Sequence, residues 1–383
     1  MSKRIEEEKT VLIRYNIVSA SLLGFGGSLY VALETMIGLT RYGYTVFFQT
    51  GLPKTQTYKF LMDALKYYGL ETHAVNSKLL LDSNDRCVSV NVSGDVLSGP
   101  AHIIYFHYPV LNSPTTYYPF IHPLYKPFAE LYHYANKALN KVLLKNMILP
   151  LANSSFTSKL IQKTLGIKPR IVYPPVKVEE FYSKPVVPLE EREKIVLIVS
   201  RISYEKYPHR VIHLAKALRD LGLTDWKVVW VGSSSKLSKR VIGEVYELSS
   251  LLGLREYIEF KPDVSRRELI DLYRNSYVYV HLTEKEHFGI SIVEAMAAGT
   301  PVVIPRSSGA WIDIAGGSKY LALPYSNYLE LKNRIKELAR DRSLWKKLSL
   351  NARNRAWIFR RDRFHREISK YVDIVRNIVN GMK

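Results

Sequence analysis

The sequence predicts an α/β protein built from two Rossmann-like halves, each a parallel sheet with helices on both faces. Two observations carry this. Strand-like apolar runs alternate with helix-length amphipathic segments almost throughout, and the alternation breaks once, at a Pro-rich stretch, before it restarts. A length of 383 residues suits two domains of ordinary size.

The first half opens with the β-rich run Val11–Ser19, a Gly-rich turn and a helix over Leu29–Tyr42. Further strands are expected at Thr45–Thr50, His102–His107, Ile148–Ser154 and Arg170–Pro174. Residues 176–193 hold scattered charges and prolines and read as a linker. The second half, 194–344, follows with strands at Lys194–Ile202, Trp226–Ser233, Tyr257–Asp263, Tyr277–Thr283 and Thr300–Pro305. Its helices are expected over Tyr207–Leu221, Leu237–Leu252, Arg266–Asn275 and Ile290–Ala298. The basic segment 345–383 reads as helical, with no strand to feed, and is expected to pack back on residues 1–175. In such sheets ligands bind beyond the carboxyl ends of the strands, so two facing halves would form a cleft.

Composition narrows the class. Hydrophobic residues make up 47% and charged residues 23% of the chain, the balance of an ordinary globular protein. The single cysteine, Cys87, excludes an intramolecular disulfide. No stretch approaches the ~20 apolar residues that cross a bilayer, and the charged N-terminal residues lack the apolar core of a signal peptide, so a cytoplasmic location is expected. The net charge of +20 points to an anionic partner. The basic residues are dispersed and form no recognised nucleic-acid motif, so no nucleic-acid partner is expected. P-loop, Asp-x-Asp, HExxH and zinc-spaced Cys/His patterns are absent from the sequence; no metal and no cofactor are expected.

The chemistry is concentrated in YVYVHLTEKEHFGISIVEAMAAGTPVVIP, Tyr277–Pro305. A strand ends, a short charged loop carries Glu286, and Gly289 opens a helix that carries Glu294 and closes at Gly299. The start of that helix offers unpaired N–H groups and partial positive charge, which suit a diphosphate. Arg201 and Lys206 follow the strand Lys194–Ile202 and can neutralise such a group.

Glu286 and Glu294, with seven residues between them and followed by Ala298-Gly299-Thr300-Pro301, resemble the signature of the retaining glycosyltransferases of the group 1 type, family 4, which have the GT-B fold. That resemblance implies that Glu286 contacts hydroxyls of the donor sugar and that Glu294 holds the ribose. It implies that Arg201 and Lys206 receive the diphosphate and that His287, Phe288, Gly289 and Ile290 complete the donor site. It places the family's Gly-Gly loop at Gly26 and Gly27, and a histidine near the reacting centre at His107. Four short strings, HYP at His107–Pro109, NSSFT at Asn153–Thr157, VYPP at Val172–Pro175 and EHFGISIVEAMAAGT at Glu286–Thr300, are similar to the cytosolic-face mannosyltransferases that extend dolichol-diphosphate-linked oligosaccharides. The implied activity is metal-independent transfer of mannose or glucose from a GDP- or UDP-sugar, with retention, to a lipid-linked glycan or a soluble acceptor. A nucleotide-sugar binder without activity is the alternative within the fold, and a basic nucleic-acid-binding protein the alternative outside it.

One further segment bears on location. Lys126–Asn146 places Phe128, Leu131, Ala135, Leu139 and Val142 near one stripe and Lys137, Lys141 and Lys145 on another, after the aromatic Tyr117, Tyr118 and Phe120. Two readings stay open: a domain helix with its apolar side on the sheet, or an interfacial helix drawn to anionic headgroups.

Overall fold

The computed structural model describes residues 9–16, 26–72, 87–95, 98–107, 126–234 and 236–381. Most of the loop Leu22–Ser28, the Tyr108-Pro109 pair and the aromatic residues at 117–120 lie outside the described residues. The chain divides into two compact units. The first holds residues 1–175 and 361–383, the second Val176–Arg360.

In the first unit, β1 (Thr10–Arg14), β2 (Thr45–Gln49), β3 (Val88–Asn91), β4 (Ile103–Phe106), β5 (Leu149–Ala152) and β6 (Arg170–Ile171) form one parallel sheet in the order β2-β1-β3-β4-β5-β6. The helix Gly27–Arg41 is buried along Leu29–Leu39 on every side, as a helix apolar all round requires a cover on each face. The covering element is the helix Arg361–Gly381, and it brings a counter-charge, Arg361, and a second polar partner, His365, to the one acidic residue in that run. Glu34 is fully buried, with Arg361 Nε at 2.7 Å and His365 Nε2 at 2.8 Å. Gly38 lets the two helices meet, because a Cβ there would stand 2.6 Å from the His365 ring. The 345–383 segment is thus shared. Trp345 is buried in the core of the second unit, while residues from Arg361 onward belong to the first.

In the second unit, β7 (Glu193–Val199), β8 (Lys227–Gly232), β9 (Ile258–Pro262), β10 (Ser276–Val280), β11 (Val302–Pro305) and β12 (Leu323–Tyr325) pair in parallel in the order β12-β11-β10-β7-β8-β9. The connections therefore run outward in opposite directions from β7 and β10, which places the topological switch point of a Rossmann sheet between them. The core is Val196, Ile198, Trp230, Val278, Val280 and Trp345 with their neighbours. The stretch read as a linker is folded: Glu179–Tyr182 is a short helix whose Phe181 is fully buried, and Leu189 is buried in a 3-10 turn. Val176 bridges to Arg360, its N–H bonding the Phe359 carbonyl at 2.9 Å.

Lys126–Asn146 is broken at Leu139 into helices Lys126–Ala138 and Asn140–Leu144. Its apolar stripe does not enter a core: Phe128 is 70%, Leu131 65% and Val142 51% exposed, and Tyr134 beside them is exposed too. Among the described residues no helix is long and apolar enough to cross a membrane.

Candidate active site

The two loops that leave the switch point carry the charged residues singled out above. After β7 the chain turns through Ser200 and Arg201 and enters a 3-10 turn, Tyr204–Lys206. After β10 it passes His281 and the loop 282–288 and enters the helix Ile290–Ala297. These loops meet at one carboxylate. Glu286 Oε2 lies 3.2 Å from His281 Nε2 and 3.7 Å from Lys206 Nζ. Burial opposes ionisation of Glu286, but the Lys206 charge and then the His281 hydrogen bond outweigh it, holding the carboxyl well below the usual range. Among the described residues no side chain hydrogen-bonds or ion-pairs with Glu286 Oε1. The side chain keeps 21% of its surface exposed, so this oxygen is the one left for a ligand.

The loop is held from several sides. Arg210 donates to the Leu282 carbonyl at 2.7 Å and to Glu284 at 2.6 Å, and the Gly309 N–H donates to the Glu286 carbonyl at 2.6 Å. Of the three non-glycine residues with left-handed backbone angles among the described residues, two lie here, Tyr207 (φ 58) and Lys285 (φ 54), one on each loop, and the third is Asp263 (φ 54) after β9; such strain concentrates at functional sites. Gly289 caps the helix at φ 99, where a Cβ would also meet Ile292 at 2.6 Å; glycine is required there on both counts. The other end of the helix is fastened by arginines. Arg192 donates to the Ala298 and Gly299 carbonyls at 3.3 and 3.1 Å, and Arg353 to Ala297 at 3.2 Å. Burial, with Arg274 and Arg353 nearby, lowers the Arg192 pKa to about 9, and its cationic form suits a helix C-terminus.

The remaining expected residues distribute as follows. Arg201 pairs with Glu205 at 3.3 Å, one residue before Lys206. His287 is half-buried, and its burial, then Lys206, bias it toward the neutral imidazole against the pull of Glu286. Phe288 is 3% exposed and packs edge-on against Phe359, so its side chain is core and only its backbone can serve a donor. Ile290 is half-buried at the first position of the helix. Glu294 has partners of its own, different from those of Glu286. Its Oε1 takes Arg266 at 2.6 Å and its Oε2 takes the Tyr273 hydroxyl at 3.0 Å, and Arg266 in turn holds Glu180 at 2.6 Å. Each Glu294 oxygen keeps one further lone pair for a hydroxyl. Gly26, Gly27 and His107 belong to the first unit. Gly26 caps its helix at φ −137, an angle open to any residue, with nothing within 4 Å of a Cβ position; Gly27 is the first helical residue. The carbonyl of His107 accepts from Asn153 at 3.1 Å, and its ring tilts against Tyr105 at 4.9 Å.

Sequence reading did not single out His281, Glu205, Arg210, Arg266 or Tyr273. The signal for His281 was weak, a histidine directly after an apolar strand, while Arg210 and Arg266 look like ordinary helix-surface cations. Among the described residues no three His, Cys, Asp or Glu side chains gather into a metal-binding group.

Residues 181–355 match the family of glycosyl transferases group 1. The human GDP-Man:Man(3)GlcNAc(2)-PP-Dol alpha-1,2-mannosyltransferase is 31% identical over 175 residues, covering 43% of this chain and 35% of that protein. A D-inositol 3-phosphate glycosyltransferase of Streptomyces bingchenggensis is 27% identical over 219 residues, 54% of this chain and 48% of that one. The chain thus spans between a third and a half of the length of these curated relatives. The crystal structure of sucrose-phosphate synthase from Thermosynechococcus elongatus superposes with a TM-score of 0.68 at 16% identity, over 97% of this chain and 100% of that one. That likeness is one of fold, and the fold is GT-B, two Rossmann-like units, as the sequence predicts. The Glu286–Glu294 helix lies inside the residues that match, so the resemblance to the glycosyl transferases group 1 family is carried by the second unit.

Proposed function

We propose that this chain is a retaining, metal-independent glycosyltransferase that moves a hexose, mannose or glucose, from a GDP- or UDP-linked donor to a glycan acceptor carried on a polyprenyl or dolichyl (di)phosphate. The observation that carries the reading is the convergence on Glu286, an ionised carboxylate with one oxygen held by Lys206 and His281 and the other open, set just ahead of a helix N-terminus at the switch point. Such an oxygen can accept hydroxyls of the donor sugar. Lys206, Arg201 and the first N–H groups of the helix supply positive charge for the diphosphate as it departs. The N–H groups of a helix start have no intrahelical partners and need no reorganisation to bind. Glu294 takes the ribose with its two remaining lone pairs. With both charged ends held, positioning and electrostatics supply most of the rate, and the leaving phosphate receives the acceptor proton on the same face, which retains configuration.

The human relative's name, which specifies GDP-mannose and a dolichyl-diphosphate acceptor, supports the mannosyl and lipid-linked form. The Streptomyces relative, named for an inositol phosphate, supports a second reading with a soluble acceptor. The exposed apolar residues Phe128, Leu131 and Tyr134 beside the exposed Lys137, Lys141 and Lys145 favour the lipid-linked form, docked on a cytoplasmic anionic membrane face.

The test is a thermal-shift screen with GDP, UDP and their sugars, followed by transfer assays on polyprenyl-diphosphate-linked and soluble acceptors. A donor at 100 times its Kd adds about 2.7 kcal/mol of stability. Stabilisation by a nucleotide sugar and transfer to one acceptor class support the reading. Absence of both, with folded protein, overturns it.

A further inference from the structure

His281 is 4% exposed and stands directly after β10. Its main chain is fixed at both polar atoms: its N–H bonds the Val303 carbonyl at 2.9 Å, and its own carbonyl accepts from Tyr325 at 2.7 Å. The ring lies between two oxygens, Tyr279 Oη at 3.1 Å from Nδ1 and Glu286 Oε2 at 3.2 Å from Nε2. Tyr279 Oη is in turn 2.9 Å from Ser291 Oγ, in the first turn of the helix Ile290–Ala297.

Elementary donor and acceptor rules orient the whole chain of contacts. An ionised carboxylate only accepts, so Nε2 carries a proton. In a neutral imidazole Nδ1 is then an acceptor, which the single phenolic proton of Tyr279 satisfies. Burial keeps that phenol protonated. The Tyr279 oxygen is left to accept from the Ser291 hydroxyl. Every proton has one place, running Ser291 to Tyr279 to His281 to Glu286.

We propose that His281, its Nε2–H tautomer set by the Glu286 carboxylate and complemented at Nδ1 by Tyr279, is the positioning residue of Glu286: it pins Oε2 together with Lys206 and thereby aims Oε1 at the donor sugar. The proposal rests on the reading of Glu286 as the carboxylate that meets the donor. A carboxylate otherwise turns about its terminal torsion, which is broad and two-fold, and a contact realised in the transition state needs its geometry held to about 0.5 Å. The chain also joins the orientation of Glu286 to Ser291, at the helix end where the diphosphate would bind.

Two experiments on the full chain test this. The first needs no substrate. Imidazole ¹⁵N shifts at pH 7, assigned by the signal lost in His281→Gln, are expected to show a neutral Nε2–H ring that persists in Tyr279→Phe, where Glu286 still accepts from Nε2, and to show a mixture of tautomers in Glu286→Ala, where that acceptor is gone. An Nδ1–H ring or an imidazolium in the parent protein overturns the proposal. The second is kinetic. His281→Phe, which keeps the volume, is expected to lower kcat about 100-fold with donor KM changed less than threefold. His281→Gln, whose amide N–H reaches the Nε2 position, is expected to recover to within about tenfold of the parent. Equal loss in both variants, or loss confined to KM, overturns it. Failure of the transferase reading itself would appear separately, as no transfer by the parent chain, while the tautomer measurement still decides the role of His281.

Discussion

Gly232 lies so close to Ser200 that a methyl group on it would stand 1.8 Å from the Ser200 carbonyl oxygen. The same carbonyl accepts from Trp230 Nε1 at 3.1 Å, so the turn that presents Arg201 rests directly on the end of β8. Gly232→Ala must push that turn away, at a cost of about 1–3 kcal/mol in stability. Transfer is expected to fall on the order of a hundredfold, the usual consequence of a 1 Å displacement near reacting groups. Parallel melting curves and steady-state kinetics check it; full activity would mean that the Ser200–Arg201 turn does not serve the donor.

Glu286→Gln is expected to keep the fold and lose transfer by a factor on the order of 10² to 10³. The carboxyl is depressed below the usual range by Lys206 and His281 against the cost of burial. Its contribution to stability is therefore present above the unfolded carboxylate value and lost as pH falls through the folded one. Between pH 5 and 9 it stays ionised, so no acid limb of the rate profile in that window belongs to it. Lys206→Ala removes the leading favourable charge, and a limb moving up toward neutral pH in that variant alone would confirm the coupling.

Glu294 requires a gentler variant than alanine. Truncation strands the Tyr273 hydroxyl and one arm of Arg266, costing about 1–3 kcal/mol for a buried group left unpaired. Glu294→Gln retains acceptor and size. Donor affinity by titration is expected to weaken while kcat changes less, the mark of a group that holds ground and transition states alike. Unchanged affinity would remove Glu294 from the ribose.

Transfer is expected to survive EDTA, since Arg201 and Lys206 are proposed to take the charge of the leaving diphosphate. Arg201→Ala is expected to lower kcat about a hundredfold. Loss of activity with EDTA, restored by Mg²⁺ or Mn²⁺, would reject this part of the mechanism.

For the exposed face of Lys126–Asn146, three lysines near an anionic surface contribute roughly 3 kcal/mol in all. Binding to vesicles with anionic lipid is expected to fall with added salt and with Lys137, Lys141 and Lys145 changed to Glu. Phe128→Ser with Leu131→Ser is expected to weaken it at constant charge. Co-sedimentation equal to the parent in both variants would leave the face merely solvated and favour a soluble acceptor.

Ten of the twelve strands among the described residues are legible because their apolar runs are long enough to show. β3 is not, since its Ser89 and Asn91 interrupt the run; they are buried with partners supplied from afar, His102 for Ser89 and the Asp95 and Gly99 carbonyls for Asn91. β12 was hidden by Pro324, which an edge strand tolerates. Glu286, Glu294, Arg201 and Lys206 were visible from their spacing and type. What spacing does not carry is who holds whom. Arg266 on Glu294 and His281 on Glu286 depend on how separate elements approach, and the exposed stripe around Phe128 had the same periodicity as a core-facing one.

The two crossings of the chain, at Pro175 to Val176 and at Arg360 to Arg361, set an order of events during synthesis. The second unit is a continuous stretch and can close once residue 360 has left the ribosome. The first unit, although its sheet is made earlier, must wait for Arg361–Gly381, because only that helix brings Arg361 and His365 to the buried Glu34. Until then a nascent first unit that closed early would hold a charge without its partners, a deficit of about 3–5 kcal/mol. The half begun first is finished last, and its exposed helix Gly27–Arg41 is the part of the newborn chain most in need of a chaperone.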